Sequence, residues 1–350
     1  MRRTLPVAAL AAISLTLAAC GSGTGSSDST TSGGGDSASK AVTVYSADGL
    51  GDWYTKQFAA FEQQTGIKVQ YVEAGSGEVV SRLQKEKTNV QADVVVTLPP
   101  YIQQADKDGL LQPYAPAGAD QVTGAAANYL PLVNNYLCFI YNPDKATPVP
   151  KTFDDLLDKR FAKKLQYSTP GQAGDGTAVL LNLQHVLGKD AALAYLKKLD
   201  ANNVGPSSST GKLQPKVSKG EIYVANGDVQ MNLASINNDK SNFKIFFPAG
   251  PDGKSSTFAL PYVMGLAAGA PHADAGKKLE DFLLSTTAQG EVSAQAYGIP
   301  ARGDVKPTDA QFQQVQQVLQ GVEIWQPDWT QILADNDADI AAYNKALGLS

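Results

Sequence analysis

A glycine-rich stretch from Ser168 to Thr177 has the residue types of an anion-binding turn. It follows a strand-like segment at 164–167 and precedes an apolar, helix-like run at 178–183. The first amide N–H groups of a helix have no internal acceptor, and the helix dipole places about half a positive charge there. Glycine lets the backbone approach a ligand, and hydroxyl side chains add donors. An ordinary strand–loop–helix connection explains the same pattern, and no Gly-Lys-Ser/Thr ends it as in a Walker A loop.

Polar residues also follow three strand-like runs near the start of the folded part, at 41–45, 67–72 and 92–97. Helix-like segments at 52–65 and 78–87 separate these runs, and the short turns predict a parallel, right-handed α/β sheet. Ligands of such sheets bind beyond the carboxyl ends of the strands. Because Ser76-Gly77 also begins a helix, this edge offers a second helix start suited to an anion. The residues at these strand ends are Ser46, Asp48, Glu73, Ser76, Gly77 and Thr97.

The rest of the chain alternates between predicted strands and helices. A polar loop covers 206–215, and Asn226-Gly-Asp228 has the residue types of a tight turn. The predicted strands lie at 135–141, 243–247 and 256–261, and the predicted helices at 152–161, 190–199, 273–284, 286–297, 308–319 and 329–347. This alternation predicts an α/β fold.

Composition and charge limit the classes of function. The chain has 350 residues, 43% hydrophobic and 18% charged, which is typical of globular protein and sufficient for two domains. Its formal net charge is −5, whereas nucleic-acid binding requires a basic surface. We therefore expect no nucleic-acid partner, and anion binding would have to come from local helix dipoles.

Cysteine and histidine usage favours neither a disulfide nor a metal site. Cys20 ends the leader described below, so Cys138 has no partner, and it is most simply a small buried residue. His185 and His272 are far apart in sequence and have no cysteine near them. We expect no metal and no cofactor.

The N-terminus reads as an export signal. Arg2 and Arg3 precede an apolar segment that is too short to span a bilayer comfortably. The segment ends in Leu17-Ala18-Ala19-Cys20-Gly21, which resembles the bacterial lipobox. Residues 1–20 are thus predicted to be a lipoprotein signal peptide, with Cys20 as the lipidation site and a plain signal peptide as the alternative. Residues 21–40 are predicted to be a flexible Gly/Ser tether. The mature chain would be secreted and lipid-anchored to the outer face of the cytoplasmic membrane, in a periplasm or at a cell surface.

Several motifs between residues 41 and 300 resemble the substrate-binding proteins of ferric-type ABC importers. They are Val44-Tyr-Ser-Ala-Asp-Gly-Leu50, Thr65-Gly-Ile-Lys-Val69, Ser76-Gly-Glu78 with Arg82-Leu83, Gln91-Ala-Asp93, Phe282-Leu-Leu-Ser285 and Ala296-Tyr-Gly-Ile-Pro300. Within this family the chain most resembles the 2-aminoethylphosphonate-binding branch. That likeness is carried by Tyr45-Ser-Ala-Asp-Gly-Leu-Gly-Asp-Trp53, Tyr71-Val-Glu-Ala-Gly-Ser-Gly-Glu78 and Thr97-Leu-Pro-Pro100.

One departure from the iron-binding branch bears on the ligand. That branch carries adjacent tyrosines after an Asn-Asn pair, and their phenolates bind ferric ion. Here Asn237-Asn238 is followed by Asp239-Lys240. The resemblance therefore favours a phosphonate, with ferric ion or chelate, a phosphate ester, a polyamine or a thiamine-like cation as alternatives. An extracytoplasmic hydrolase is the alternative from another class, but no Gly-x-Ser-x-Gly elbow supports it.

The resemblance implies a two-lobed, type II periplasmic-binding-protein fold with a hinge and a ligand cleft between the lobes. The first lobe would comprise 41–137 and 258–350, the second 138–257, with hinge strands near Tyr136 and near 257–261. It also implies a monomer that delivers a small phosphonate to an ABC permease and is attached to the membrane through its lipid anchor, without enzymatic activity.

Site residues follow from the two ends of such a ligand. Each hydroxyl could instead make a cap or turn bond, Asp48 could form an Asx-type turn, and aromatic residues are buried by default. We predict that the phosphonate contacts Ser46, Ser76, Gly77, Ser168, Thr169, Gly176 and Thr177. The amine is predicted to contact Asp48, Glu73, Asp175 or Tyr136. The predicted cleft wall comprises Thr97, Trp53, Tyr101, Tyr262 and, at a loop tip, Asn226.

Overall fold

The computed structural model of the chain describes residues 41–349. The predicted signal peptide, tether and lipidated Cys20 lie outside these residues. Within them, none of the helices is long and apolar enough to cross a membrane.

Thirteen strands and twelve α-helices make up the described part of the chain. The strands are β1 Ala41–Ala47, β2 Lys68–Ala74, β3 Val94–Thr97, β4 Leu111–Gln112, β5 Leu130–Asn134, β6 Leu137–Tyr141, β7 Leu165–Gln166, β8 Val224–Asp228, β9 Lys244–Phe246, β10 Ser256–Phe258, β11 Tyr262–Ala267, β12 Ile299–Pro300 and β13 Glu323–Trp325. The helices are α1 Gly51–Thr65, α2 Ser76–Lys85, α3 Tyr101–Lys107, α4 Gly174–Leu187, α5 Lys189–Leu199, α6 Gln214–Ser218, α7 Val229–Asn238, α8 Ala273–Leu283, α9 Thr286–Gly290, α10 Val292–Ala296, α11 Ala310–Val318 and α12 Trp329–Leu347.

A seven-stranded sheet forms the centre of what we call the first lobe. Its order is β12-β5-β11-β3-β1-β2, with β4 paired to β11. The predicted parallel β-α-β-α-β unit is confirmed, since β1 pairs in parallel with both β2 and β3. Strand β11 runs antiparallel to β3, β4 and β5, so the complete sheet is mixed. The predicted apolar face of α1 is buried, including Trp53 and Phe61 at 0% exposure.

A four-stranded sheet of order β7-β8-β6-β9 forms the centre of the second lobe. Strand β8 pairs in parallel with β7 and antiparallel with β6. Helix α4 packs its apolar residues into the core beside these strands, and Ala178 to Leu181 are all buried. The sheet brings the loop after β7 and the end of β8 to one edge, where the second lobe faces the first.

The chain crosses between the two sheets at adjacent places. One crossing joins β5 to β6 through Asn135 and Tyr136, and the other leads from β10 to β11. Tyr136 forms an isolated antiparallel bridge with Ala259, and Leu260 N–H donates to the Asn135 carbonyl at 2.8 Å. This pair of hinge segments and the two sheets are those of the type II fold.

The C-terminal segment contacts the second lobe extensively. Trp325 of β13 stacks on His185 at 4.2 Å between ring centroids, and its indole N–H donates to Asn182. On α12, Asp335 and Asp339 pair with Lys189, the first residue of α5. The lobe boundaries predicted from the sequence stay a prediction, and these contacts favour assigning the segment after about residue 320 to the second lobe.

Several local predictions were wrong. The predicted helix at 152–161 consists of two short 3₁₀ turns, Asp154–Leu157 and Lys159–Phe161. The predicted turn Asn226-Gly-Asp228 is the end of β8, because Cys138 and Leu137 of β6 pair with Gly227 and Asp228. Asn226 is consequently a fully buried strand residue and does not lie at a loop tip. Helices α3, α6 and α7 were not predicted.

Candidate functional site

The predicted strand-end residues lie at one edge of the first lobe. Ser46 is paired with Glu73 on β2 and with Val96 on β3, so the carboxyl ends of these three strands are adjacent. Asp48 follows β1 directly, and Thr97 ends β3. The fold therefore positions Asp48, Glu73, Ser76 and Thr97 beside the second lobe.

Three buried or half-buried aspartates from both lobes define the centre of this region. Asp48 comes from the first lobe, Asp175 from the first turn of α4, and Asp228 from the N-cap of α7. Tyr262 of β11 joins two of them, because its hydroxyl lies 2.9 Å from the Asp48 carbonyl and 3.4 Å from Asp228 Oδ2. We call Asp48, Asp175 and Asp228 the aspartate cluster.

The aspartate cluster has few neutralising partners. Asp48 Oδ2 accepts from the Ser209 hydroxyl at 2.6 Å and from Gly211 N–H at 3.1 Å. Asp228 Oδ1 accepts from Met231 N–H at 2.6 Å, whereas Asp175 Oδ1 is buried with no hydrogen-bond partner among residues 41–349. None of the ion pairs in that range involves the cluster. This group of buried and half-buried carboxyls thus has no cationic partner within residues 41–349.

Burial and mutual repulsion disfavour the charged forms of these carboxyls. Burial raises the pKa of Asp175 well above its ordinary value, and the charges of Asp228 and Asp48 raise it further. Burial also raises the pKa of Asp228 to about 7 and raises that of Asp48. A cation placed among the three would reverse this effect, because an opposite charge favours the ionised carboxylate.

Sequence reasoning predicted Asp175 but missed the other second-lobe residues of this arrangement. Asp228 and the segment containing Ser209 and Gly211 were not selected, nor was Gln230, whose amide donates to the Gly49 carbonyl at 2.7 Å. One sequence signal could have identified Asp228. An aspartate directly before the helical pattern of Val229 to Ile236 is a preferred N-cap.

A cavity of about 480 Å³ opens beside the aspartate cluster, between the start of α1 and the second-lobe residues before α6. Asp48 and Glu73 line it, as does Trp53, although the Trp53 indole N–H donates to the Ala288 carbonyl at 3.2 Å. Glu73 accepts from Tyr71 at 2.6 Å. The exposed Lys212 is also in the lining. The cavity is therefore open to solvent and lined by groups of both charges.

The starts of α2 and α4 face each other across the two lobes. A methyl group added at Gly174 would lie 2.7 Å from Ser76 Oγ. Within the described chain, the amide N–H groups of Gly174, Asp175 and Gly176 have no hydrogen-bond acceptor. The predicted helix start thus exists, although α4 begins at Gly174, earlier than the apolar pattern indicated. Gly77 differs, since its N–H donates to the Gln172 carbonyl at 3.0 Å.

Most of the predicted hydroxyl donors are engaged with other protein groups. Ser46 Oγ bonds to the Ala47 carbonyl and lies 3.2 Å from the Tyr54 hydroxyl. Ser168 bonds to Asn226 and Thr210, and Thr169 accepts from Ser207 N–H. Thr177 Oγ1 lies 2.6 Å from the Tyr101 hydroxyl and accepts from Gly171 N–H at 3.0 Å. These hydroxyls organise the loops around the two helix starts.

Four of the predicted wall residues, Tyr262, Tyr101, Thr97 and Asn226, are buried in or beside the contact between the lobes. Tyr136, which was predicted to contact the amine, lies elsewhere. It lines a separate surface cavity with Gln313 and Gln320 on and near α11. The structure does not bring Tyr136 to the aspartate cluster.

Among the residues that the structure describes, no group of three or more His, Cys, Asp or Glu side chains could hold a metal ion. Cys138 is buried and unpaired, and its side chain contacts Asn232. Burial raises the pKa of this thiol well above its ordinary value.

Two hinged lobes with a polar cleft between them define a solute-binding protein. Residues 56–319 match the family of bacterial extracellular solute-binding proteins. A relative from Salmonella typhimurium, named "Putative 2-aminoethylphosphonate-binding periplasmic protein", is 53% identical over 313 residues, which cover 88% of this chain and 93% of the relative.

Solved structures share the fold at low sequence identity. The fructose-6-phosphate-bound periplasmic binding protein AfuA from Actinobacillus pleuropneumoniae has a TM-score of 0.77 at 19% identity, covering 89% of this chain and 100% of that one. A periplasmic thiamin binding protein has a TM-score of 0.74 at 20% identity, covering 89% and 98%. The chain belongs to the bacterial extracellular solute-binding proteins and is an extracytoplasmic component of an ABC importer, with a small ligand and a permease as partners.

Proposed function

We propose that this protein captures 2-aminoethylphosphonate, or a closely similar small zwitterion, between its two lobes and delivers it to the permease. The observation that carries the proposal is the aspartate cluster, in which three carboxyls from both lobes act on one another electrostatically and form no ion pair within the described chain. An ammonium group supplies the missing charge. It would contact residues of both lobes and thereby favour the closed arrangement.

The phosphonate end is assigned to the facing starts of α2 and α4. The three α4 N–H groups without acceptors and the adjacent Ser76 hydroxyl are the donors that an anion requires. Only two carbon atoms separate nitrogen from phosphorus in the ligand, so the two subsites must be adjacent. Asp175 meets this requirement, because its carboxyl lies in the first turn of α4.

The assignment of individual contacts differs from that made on sequence alone. We retain Asp48 and Asp175 for the amine and add Asp228, while Glu73 is placed at the cavity mouth. For the phosphonate we retain Ser76 and Gly176 and add Gly174. Ser46, Ser168, Thr169 and Thr177 are given the supporting role of holding the loops, as their hydrogen bonds suggest.

The cellular context completes the proposal. We propose that Cys20 carries the lipid anchor, that residues 21–40 tether the body to the membrane, and that the protein acts as a monomer. We also propose that it binds its ligand without chemical change, because its relatives are solute-binding proteins. Release of phosphate or an aldehyde from the ligand by the purified protein would contradict this last point.

A calorimetric ligand panel tests the proposed function. We expect 2-aminoethylphosphonate to bind at least about tenfold more tightly than ethylphosphonate, which lacks the amine, or ethanolamine, which lacks the phosphonate, since each loses a charge-assisted contact. Ferric citrate, thiamin and fructose 6-phosphate complete the panel. Tighter binding of any of these three would overturn the assignment of the ligand.

Thr177→Val is expected to weaken 2-aminoethylphosphonate and ethylphosphonate by the same factor. The change removes the hydroxyl that orders Gly171 and Tyr101 and leaves the aspartate cluster intact. Loss of one neutral hydrogen bond corresponds to about 0.5–1.5 kcal/mol, or roughly 2- to 13-fold in Kd. Calorimetry with both ligands measures the two factors. A loss confined to the amine-bearing ligand would show that Thr177 belongs to the amine subsite.

A further inference from the structure

At two glycines of the α2 start, the backbone of the second lobe leaves no room for a side chain. A methyl group on Gly75 would lie 2.3 Å from the Ser208 carbonyl oxygen and 3.0 Å from that of Gln172. A methyl group on Gly77 would lie 2.5 Å from the Gly171 carbonyl oxygen and 3.1 Å from that of Gln172. The nearest opposing atoms are backbone oxygens of the second lobe, which cannot rotate away as a side chain can, and at Gly77 the Tyr101 ring of the first lobe also lies 3.3 Å away.

The local backbone does not require glycine at either position. Gly75 has φ −68° and ψ 151°, which any residue adopts. Gly77 lies in the first turn of α2 and is absent from the positions with positive φ. Alanine has the higher helix propensity, so a side chain at residue 77 would favour the first lobe taken alone. The approach of the second lobe is the only constraint found that requires glycine at residue 75, and it is the tightest one at residue 77, where an added methyl group also comes within 3.3 Å of the Tyr101 ring.

The same surface carries direct bonds between the lobes. Gly77 N–H donates to the Gln172 carbonyl at 3.0 Å, which uses one of the free amides of the α2 start. Ser209 and Gly211, next to Ser208, donate to Asp48 at 2.6 and 3.1 Å. The segment 207–211 therefore reaches both the α2 start and the aspartate cluster of the first lobe.

We propose that Gly75 and Gly77 are positioning residues that permit the lobes to close, by letting the carbonyls of Gly171, Gln172 and Ser208 rest against the α2 start. We call this the closure contact. It involves backbone atoms of both lobes and no ligand atom, so it acts on the closed arrangement whatever ligand is bound. The inference rests on the proposed function only for the ligand used as a probe.

Gly75→Ala and Gly77→Ala, each in the full chain, test the closure contact. We expect each variant to melt no lower than the parent without ligand, and to bind 2-aminoethylphosphonate at least about tenfold more weakly, because a binding-competent closed state populated ten times less raises the apparent Kd tenfold. In the parent, the ligand should slow amide hydrogen exchange in segments 168–177 and 207–211, and in the variants this protection should be reduced. Gly290→Ala is the matched control, since nothing lies within 4 Å of its added methyl group.

Two results would overturn the inference. One is parental affinity together with parental protection in both variants. The other is a melting temperature lowered in proportion to the affinity, because that indicates a role in folding. If the parent shows no response to 2-aminoethylphosphonate, the proposed function fails. Amide hydrogen exchange at residues 75–80, measured without ligand, then tests the closure contact. Faster exchange in the alanine variants than in Gly290→Ala supports it, and equal exchange overturns it.

Discussion

Asp175→Asn should weaken 2-aminoethylphosphonate by about 10- to 150-fold, because one charge-assisted hydrogen bond contributes about 1.5–3 kcal/mol. Asp175 Oδ1 is buried without a partner in the described chain, and the Thr210 hydroxyl is the one group there whose hydrogen bonding lowers the pKa of Asp175, so an arriving ammonium can donate to Oδ1. Ethylphosphonate has no ammonium, and its Kd should stay within about twofold or improve, since a nearby negative charge is removed. The ratio of the two dissociation constants, measured by calorimetry, isolates the amine contact.

The ligand-free stability of the same variant should move in the other direction. Burial and the neighbouring carboxylates raise the pKa of Asp175 well above its ordinary value, so the folded state prefers the uncharged form that asparagine imitates. We expect Asp175→Asn to unfold at the same temperature as the parent or higher. This pairing of weaker binding with unchanged or greater stability is characteristic of residues kept for function.

Asp190→Asn is the matched control for Asp175→Asn. Asp190 also lies in the first turn of a helix, α5, but it is exposed and outside the cavity lining. The substitution removes the same charge from an equivalent helix position, so both dissociation constants should remain parental. An equal loss of affinity for both ligands in Asp175→Asn would remove Asp175 from the amine subsite.

Affinity for 2-aminoethylphosphonate should fall as the pH is lowered from 8 to 6. Burial raises the pKa of Asp228 to about 7, and the groups that act on it are Asp48, Asn135, Met231 N–H and Tyr262. An ammonium binds the ionised carboxylate, so below that pKa a proton must leave first. For one such group the apparent Kd rises about tenfold between pH 8 and pH 6, and more if Asp48 and Asp175 titrate as well.

The stability of the ligand-free protein should change with pH in the direction opposite to the change in affinity. A carboxyl whose folded-state pKa lies above its unfolded value contributes stability that is fully present below the unfolded pKa and is lost as the pH rises through the folded pKa. For Asp228 the loss extends from its ordinary value of 3.8 to about 7. The stability that Asp228 contributes should therefore decrease over the pH range in which affinity increases. Thermal melting of the protein without ligand measures this decrease.

Ethylphosphonate is the control for the titration because it lacks the amine, although its own phosphonate titrates at a higher pH since no ammonium lowers its pKa. After each Kd is corrected for the ionisation of the free ligand, the Kd ratio at each pH should carry the contribution of the aspartate cluster. Asp228→Asn, which keeps an N-cap residue of equal preference at the start of α7, should flatten that ratio. A pH-independent ratio in the parent would contradict the role of the cluster.

The part of the site that the sequence predicted depends on local signals. The turns after β1 and β2, the helix start at Ser76 and a helix start at the end of the stretch 168–177 follow from glycines and small polar residues at the ends of apolar runs. Such patterns specify a turn within a few residues. The resemblance to a family added the two-lobed fold, which the periodicity of single segments does not determine.

The part of the fold and of the site that the sequence did not predict depends on contacts between residues that are distant in the chain. Asn226-Gly-Asp228 has the composition of a turn, and only its pairing with β6, about 90 residues earlier, makes it a buried strand end. The convergence of Asp48, Asp175 and Asp228 likewise requires both lobes in place. Tyr136 lies in a hinge segment whose side-chain direction no local pattern specifies, and it faces another cavity.

A crystal structure of the complex with 2-aminoethylphosphonate would show directly whether the aspartate cluster holds the amine. We expect the nitrogen within hydrogen-bonding distance of at least two members of the aspartate cluster, and the phosphonate oxygens on the amides at the start of α4. A phosphonate bound by Lys212 in the open cavity, with the amine in solvent, would contradict it. So would a metal ion held by tyrosine oxygens in the cleft.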